Sequence, residues 1–540
     1  MLTGLRIKNF KGLEDVEIEL GQAVVFVGPN NSGKTTALQA LALWELGLRV
    51  WYERRAGPLG VALNRRDLVA MPVASSDLLW RNRRHLRSNL LDPEDSGAID
   101  IQIWLSGIDG VAWECGFAFR YANEESLFAQ VILPSNPFAV HPIRVSFLPA
   151  MSGIAAIEDR LTDGAINVRI GEGRTAEVLR NLCLQVYEAQ DSSNWTELVS
   201  QIKNLFGVAL KPPEYITERG QITMSYEERG VELDLASSGR GLQQTLLLLT
   251  YLYTRPGTVL LLDEPDAHLE ILRQRQIYQL LTKTAAAQGC QVIAASHSEI
   301  LLNDAAERDV VIAFVGKPHR IDGRNSHVHK ALQSIGFDQY LQAEQTGWVL
   351  YLEGSTDLAV LQAFAETLGH PAEAVLQKPF VRYVGNVRSK AKEHFFGLRE
   401  AKRDLAGVAI FDSDAPAIDQ QSLLVELKWK QREIENYLCF PETLMAYANQ
   451  STAMKEAIDE ISGALRTLGK PDPFGPEIKA SDEFLGPVFQ KYFEKLGISN
   501  LMSKTDYHNL ARLVPVELID PEVSEKLDRI VEVAASAKPE

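Results

Sequence analysis

The run Gly28-Pro29-Asn30-Asn31-Ser32-Gly33-Lys34-Thr35-Thr36 stands directly after the apolar segment Ala23–Val27. Glycines let successive backbone N–H groups turn toward an anion, and a helix that follows adds the partial positive charge of its N-terminus. The spacing G-x-x-x-x-G-K-[ST] therefore predicts a phosphate cradle for ATP. Asn30, Asn31, Ser32, Gly33 and Thr36 line it, Lys34 reaches the β- and γ-phosphates, and the Thr35 hydroxyl meets Mg2+. Far downstream, Thr258–Leu262 reads as a buried strand ending in Asp263-Glu264-Pro265. Asp263 is placed to hold Mg2+ through water and Glu264 to polarise an attacking water.

Two further elements fit the same chemistry. Ser237-Ser238-Gly239-Arg240-Gly241 precedes a leucine-rich helix, and the strand Gln291–Ser296 ends at His297. The order phosphate loop, Ser-Gly motif, Asp-Glu strand, histidine resembles that of ABC-type ATPase heads in RecF and SMC-like proteins. The resemblance implies that Ser238 and Gly239 complete the ATP site of a second head, and that His297 senses the γ-phosphate. The motif here is SSGRGLQQ where the family writes LSGGQ, and Glu270 stands where transporters carry an aspartate. Gln102 is the candidate for the glutamine of the Q-loop.

A second set of acids lies beyond residue 345. Trp348–Leu352 is a buried strand followed by Glu353 and Gly354, with Asp357 one turn into a helix; Val408–Phe411 is another, followed by Asp412-Ser413-Asp414. Parallel strands bring their C-terminal ends to one edge, so Glu353, Asp357, Asp412 and Asp414 are expected to converge. Clustered carboxylates repel one another unless a cation lies between them, and oxygen donors alone suit Mg2+, Mn2+ or Ca2+.

These strand-end motifs resemble the TOPRIM domain, and an ABC-type head followed by TOPRIM resembles the OLD (overcoming lysogenization defect) family of ATP-dependent endonucleases. That family includes the Gabija nuclease subunit and retron-linked effectors. The resemblance implies an enzyme that binds and hydrolyses ATP, a homodimer or higher oligomer, DNA as substrate, a protein or retron RNA/DNA partner, and a role in anti-phage defence. It adds Glu435, and less directly Glu433, as a metal ligand, and Lys504 as the lysine that stabilises the scissile phosphate. Glu353, Asp412, Asp414 and Lys504 then cut at paired ions, while ATP acts as a gate. A nucleotide-gated DNA clamp or repair mediator with an inert second domain is the competing reading.

These sites need elements to hold them. The fold expected is α/β: an ABC-type P-loop domain over residues 1–315 with a helical, dimerising insertion at 155–225, a polar linker at 316–345, and a TOPRIM domain with helical additions over 346–540. The predicted elements include a helix from Lys34 to Leu48 and a strand at Ile99–Leu105. Net charge is −16, which leaves DNA contact to local basic patches. Two are candidates: Arg382, Arg388, Lys390, Lys392, Arg399, Lys402 and Arg403 near the second site, and the stretch Arg54–Arg87. Cys115, Cys183, Cys290 and Cys439 are far apart and form no CxxC pair, which argues against zinc and for a reducing, cytoplasmic setting. No apolar run is long enough to span a membrane, and no signal-peptide core opens the chain.

Overall fold

The computed structural model describes residues 1–539 apart from 55–59, 72, 87–96, 134–142, 150–153, 306–307, 315, 322–334, 416–421 and 450. The chain divides into two compact units, Met1–Arg324 and Asn325–Glu540.

The first unit begins with β1 (Leu2–Phe10), β2 (Leu13–Glu19) and β3 (Ala23–Val27), followed by α1 (Lys34–Glu53) and β4 (Val61–Asn64). In β1, Leu5 and Ile7 are buried while Arg6 and Lys8 point outward, the period of two that marks a sheet with one covered face. β3 is buried at every residue, as a central parallel strand must be. β5 (Ile101–Asp109), β6 (Val111–Asn123) and β7 (Ser126–Leu133) complete an antiparallel sheet of order β2-β1-β5-β6-β7-β4. Gln102 lies within β5 opposite Lys8, so the Q-loop candidate is a mid-strand residue of this sheet.

The second sheet of this unit takes β8 (Val145–Leu148), β14 (Val259–Asp263), β15 (Gln291–Ser296), β16 (Val310–Ala313) and β17 (His319–Arg320) in the order β17-β16-β3-β15-β14-β8. Only the β16–β17 pairing is antiparallel. Helix α1 runs between the two sheets: Ala37, Leu41, Trp44 and Leu48 share one core with Ile7, Ile103 and Phe117 on one side and Val24, Phe26 and Ile293 on the other. Trp44 is fully buried and its indole N–H donates to Cys115 O at 3.0 Å, so the ring brings its area to the core without leaving a donor stranded. The helix outruns its expected end at Leu48 because Val50 and Trp51 prolong the buried stripe.

The block expected as an insertion forms a layer of this unit. It contains α2 (Asp163–Gly171), α3 (Leu179–Glu188) and α4 (Ser193–Phe206), then the short strands β9 (Ala209–Leu210), β10 (Glu214–Ile216), β11 (Gln221–Thr223), β12 (Ser225–Glu228) and β13 (Val231–Asp234). Leu182, Cys183, Leu198 and Ile202 pack with Leu246 and Leu249 of α5 (Arg240–Tyr253), which in turn covers Leu260, Leu262 and Val292 of the parallel sheet. Buried on all sides, α5 shows no polar stripe from Leu242 to Tyr253. α6 (Ile271–Ala287) and α7 (Glu299–Ala305) flank β15.

In the second unit the segment expected as linker ends in a helix, α8 (Phe337–Thr346), whose Tyr340 and Ala343 are buried. A four-stranded parallel sheet has the order β19-β18-β20-β21, from β18 (Trp348–Leu352), β19 (Val381–Tyr383), β20 (Ala406–Phe411) and β21 (Val425–Lys428). The chain leaves β18 through α9 (Ser355–Leu368) and α10 (Ala372–Leu376), forms β19 on one side, and returns through α11 (Arg388–Ala401) to β20 on the other. The direction of winding reverses between β18 and β20, and such a switch point opens a crevice at the carboxyl ends of the strands. Helices α12 (Pro441–Tyr447), α13 (Thr452–Thr467), α14 (Gly486–Lys495), α15 (His508–Ala511) and α16 (Pro521–Ser536) follow; Phe489 and Ile530 reach the same core as Leu350 and Ile410. Among the described residues no helix is long and apolar enough to cross a membrane, and all four cysteines are free and buried.

Candidate functional site

The phosphate loop joins β3 to α1. Gly33 is the N-cap of α1 at φ 100°, and Gly28 has φ 156° with Phe314 O 2.6 Å from where a Cβ would stand, so neither position accepts a side chain. Lys34 is buried and folds its ammonium back onto Gly28 O at 2.7 Å and Pro29 O at 2.8 Å. Burial lowers its pKa, against the pull of Asp263, Glu264 and Asp266. Asn30, Asn31, Ser32, Gly33, Lys34, Thr35 and Thr36 line a cavity of 770 Å3 with Gly12, Leu13, Glu264 and His297.

The carboxylates of the Asp-Glu strand reach this loop because only β15 separates β14 from β3. The Thr35 hydroxyl stands 3.0 Å from both oxygens of Asp263. Burial pushes Asp263 up to about 6, with Glu264 adding to the rise and Thr35 and Lys34 opposing it. A carboxylate deprived of water beside a hydroxyl suits a hard cation with oxygen ligands, which is what Mg2+ requires. Glu264 adopts φ 50°, strained for a non-glycine residue, with its N–H held by Ala295 O at 2.8 Å. Its Oε1 lies 3.6 Å from His297 Nε2. Ser238 and Gly239 line a separate cavity of 370 Å3, together with His268 and Glu270.

In the second unit, Glu353 leaves the end of β18 and Asp412 the end of β20, and these strands are paired in parallel. Burial first, then the hydrogen bond and charge of Glu353, push the Asp412 carboxyl far above the usual carboxylate range. Glu435, in the turn Ile434–Leu438, is buried; burial and the neighbouring Glu433 raise it to about 7, and Lys504 Nζ stands 3.0 Å from its Oε1. Burial works against the Lys504 ammonium, but Glu435, then Glu433 and Glu353, prevail and lift it to about 12.

The remaining acids make hydrogen bonds of their own. Asp357 Oδ2 accepts the N–H groups of Glu353 at 3.0 Å and Gly354 at 3.3 Å, so the expected ligand caps the start of α9. Glu433 accepts the Ser481 N–H. Asp414 is exposed and takes a hydrogen bond from Asn386. Among the described residues no three His, Cys, Asp or Glu side chains stand together as a ready ligand set. The oxygen-only donors and the raised Asp412 still fit a divalent cation: the cluster is short of positive charge, with Lys504 as the ammonium paired to it. Asn386 was not singled out by sequence; only the Gly-Asn turn after β19, with Asn386 at φ 58°, marks it.

The basic tracks are partly spent on internal pairs. Arg388 grips Glu426 through two bonds of 2.6 Å, Lys392 stands 3.7 Å from the same carboxylate, and Lys402 is buried between Glu344 and Asp404. Arg399 stacks on Phe395. Arg382, Lys390 and Arg403 are exposed. In the other stretch Arg65, Arg81 and Arg83 pair with Glu125, Glu14 and Asp77, while Arg87 lies outside the described residues.

The family described as AAA ATPase domain matches residues 1–44, and that described as AAA domain, putative AbiEii toxin, Type IV TA system matches residues 169–303. The OLD nuclease of Thermus scotoductus is 26% identical over 327 residues. Over that stretch the chain is similar to the OLD nuclease. The match covers 56% of this chain and 59% of the OLD nuclease, so the chain spans about three-fifths of the length of this curated relative. Solved structures similar to the chain include the SMC head domain from Thermotoga maritima, 15% identical with a TM-score of 0.33 over 59% of this chain and 98% of that one. An Smc head domain from Pyrococcus furiosus is 14% identical, with a TM-score of 0.34 over 63% and 99%. The first unit of the chain has an ABC-type P-loop ATPase fold: β15 intervenes between the phosphate-loop strand and the Asp-Glu strand, α1 is sandwiched between the sheets, and the AAA matches fall on both halves of the site.

Proposed function

We propose that this chain is an ATP-gated, divalent-metal-dependent DNA endonuclease, with a TOPRIM-type second unit, acting in anti-phage defence. The observation that carries the reading is the pairing of Glu353 with Asp412 at the ends of adjacent parallel strands, in the same chain as a complete phosphate loop. ATP would bind at Lys34 and Thr35, Asp263 and Thr35 would hold its Mg2+, Glu264 would orient the water, and His297, beside Glu264, would read the γ-phosphate. Ser238 and Gly239 close the site of a second copy, which makes the working form a homodimer or larger.

At the second site Glu353, Asp412 and Asp414, with Glu435 beside them, would hold Mg2+ or Mn2+, which would supply an activated water and neutralise phosphate charge. Asp357 fixes the turn that presents Glu353. Lys504, half exposed and kept charged by Glu435, meets a non-bridging oxygen of the scissile phosphate. Arg382, Lys390 and Arg403 are exposed cations of this unit that would hold the DNA backbone.

Purified protein incubated with supercoiled plasmid, ATP and Mg2+ or Mn2+ tests this directly. Nicked or linear product that disappears in Glu353→Ala, with ATP hydrolysis unchanged, supports the nuclease. DNA that is bound yet never cut under either ion favours a clamp with an inert second unit.

A further inference from the structure

Arg180 lies in the first turn of α3 and is 1% exposed. A guanidinium so enclosed is costly unless each of its edges is satisfied. Nη1 donates to Ala155 O at 2.8 Å and Nη2 to Asp234 Oδ1 at 3.0 Å. Glu158 faces the same group, its Oε2 3.9 Å from Nη1, and accepts the N–H groups of Arg180 at 2.9 Å and Asn181 at 2.7 Å. Glu158 thus caps α3 and balances the buried charge.

The bond to Asp234 leads out of the core. The same Oδ1 accepts the Ala236 N–H at 2.7 Å and caps the turn Leu235–Ser237. That turn delivers Ser238, whose N–H and hydroxyl both return to Leu235 O, at 3.1 Å and 2.7 Å. From the other side Gln243 Nε2 holds Ser238 O at 2.9 Å. Asp234 itself is half exposed, its side chain at 49%. Without Arg180, water can compete for the capping oxygen, and the Ser238-Gly239 turn loses its anchor to α3. The phosphate loop belongs to another segment and keeps its own hydrogen bonds.

We infer that Arg180 is a positioning residue for ATP hydrolysis: through Asp234 it fixes the Ser238-Gly239 turn that closes over nucleotide held by a second copy of the chain. The inference rests on the two-headed reading of the ATPase given above.

The test uses the full chain. Arg180→Met should bind a fluorescent ATP analogue within about twofold of wild type, while kcat falls at least about tenfold through misplacement of the turn. Arg180→Met mixed with Lys34→Ala before ATP is added should regain activity, because one composite site then joins an intact loop to an intact Ser-Gly turn. Asp234→Ala, altered at a half-exposed position, should repeat the pattern where Arg180→Met is poorly folded. Wild-type kcat in both variants, or no recovery on mixing, overturns the role for Arg180. A wild type that hydrolyses ATP with no ATP-driven self-association in sedimentation removes the two-headed reading itself.

Discussion

Asn386 ties the two strand-end acids of β20 together: its Nδ2 donates to Asp414 Oδ1 at 2.6 Å while its Oδ1 accepts the Asp412 N–H at 3.1 Å. The Asp412-Ser413-Asp414 turn is therefore set from β19's side of the sheet and not by its own sequence alone. Residues that orient a metal's ligands typically carry a tenfold or larger effect on metal affinity or activity. Asn386→Ala should raise the Mn2+ concentration for half-maximal plasmid cleavage by about tenfold and leave ATP hydrolysis untouched. An unchanged Mn2+ midpoint would show that the turn holds its shape without Asn386.

The contacts of Lys34 and Glu264 separate binding from hydrolysis. Lys34→Ala removes the ammonium that now rests on Gly28 O and Pro29 O, and nucleotide binding by equilibrium dialysis should be lost. Glu264→Gln keeps the cavity but not the charge, so ATP should bind normally and be hydrolysed about a hundredfold more slowly. Hydrolysis at the wild-type rate in Glu264→Gln would reassign the residue that polarises the water.

Arg388 is a stability residue because of what it pairs with. Glu426 has a fully buried side chain and receives both arms of the Arg388 guanidinium. Removing one half of a buried pair strands the other, although Lys392 at 3.7 Å softens the loss. Arg388→Ala should cost about 3 kcal/mol, a fall in Tm of roughly 6–12 °C for a unit of this size. A DNA-binding defect with an unaltered Tm would return Arg388 to the backbone-contact group.

The parts of this molecule that could be read in sequence are those in which chemistry is written in consecutive residues. An apolar run followed by a glycine loop, or by Asp263-Glu264, Glu353 or Asp412, is both a strand and the acid or cradle at its end, so the parallel sheets and their site edges were legible together. What sequence does not carry is the pairing of side chains far apart in the chain. Arg180 with Asp234, Arg388 with Glu426 and Lys402 with Glu344 are each set by packing. For this reason a cluster of seven cations read as a DNA track is partly an internal scaffold, and the hydrogen bonds by which Asp357 caps α9 are visible only in the structure. Within the stretch 155–225, read as a helical insertion, the apolar stripes mark amphipathic helices without naming what they cover; their packing on the fully buried α5 is visible only in the structure.

Burial also predicts a pH dependence in the ATPase unit. Glu45, on α1, is pushed from an ordinary value of 4.5 up to about 7 by loss of water, with Arg49 opposing. A carboxyl whose folded pKa exceeds its unfolded one supports the fold while it holds its proton. Its contribution is full below pH 4.5 and is lost as pH rises to about 7, since the unfolded chain releases the proton more readily. Glu45→Gln keeps the shape and cannot ionise. It should leave stability unchanged near pH 4 and raise it by on the order of 1–3 kcal/mol near pH 8. Denaturant unfolding of both proteins at the two pH values measures the difference, and an equal offset at both would mean that Arg49 keeps Glu45 ionised throughout.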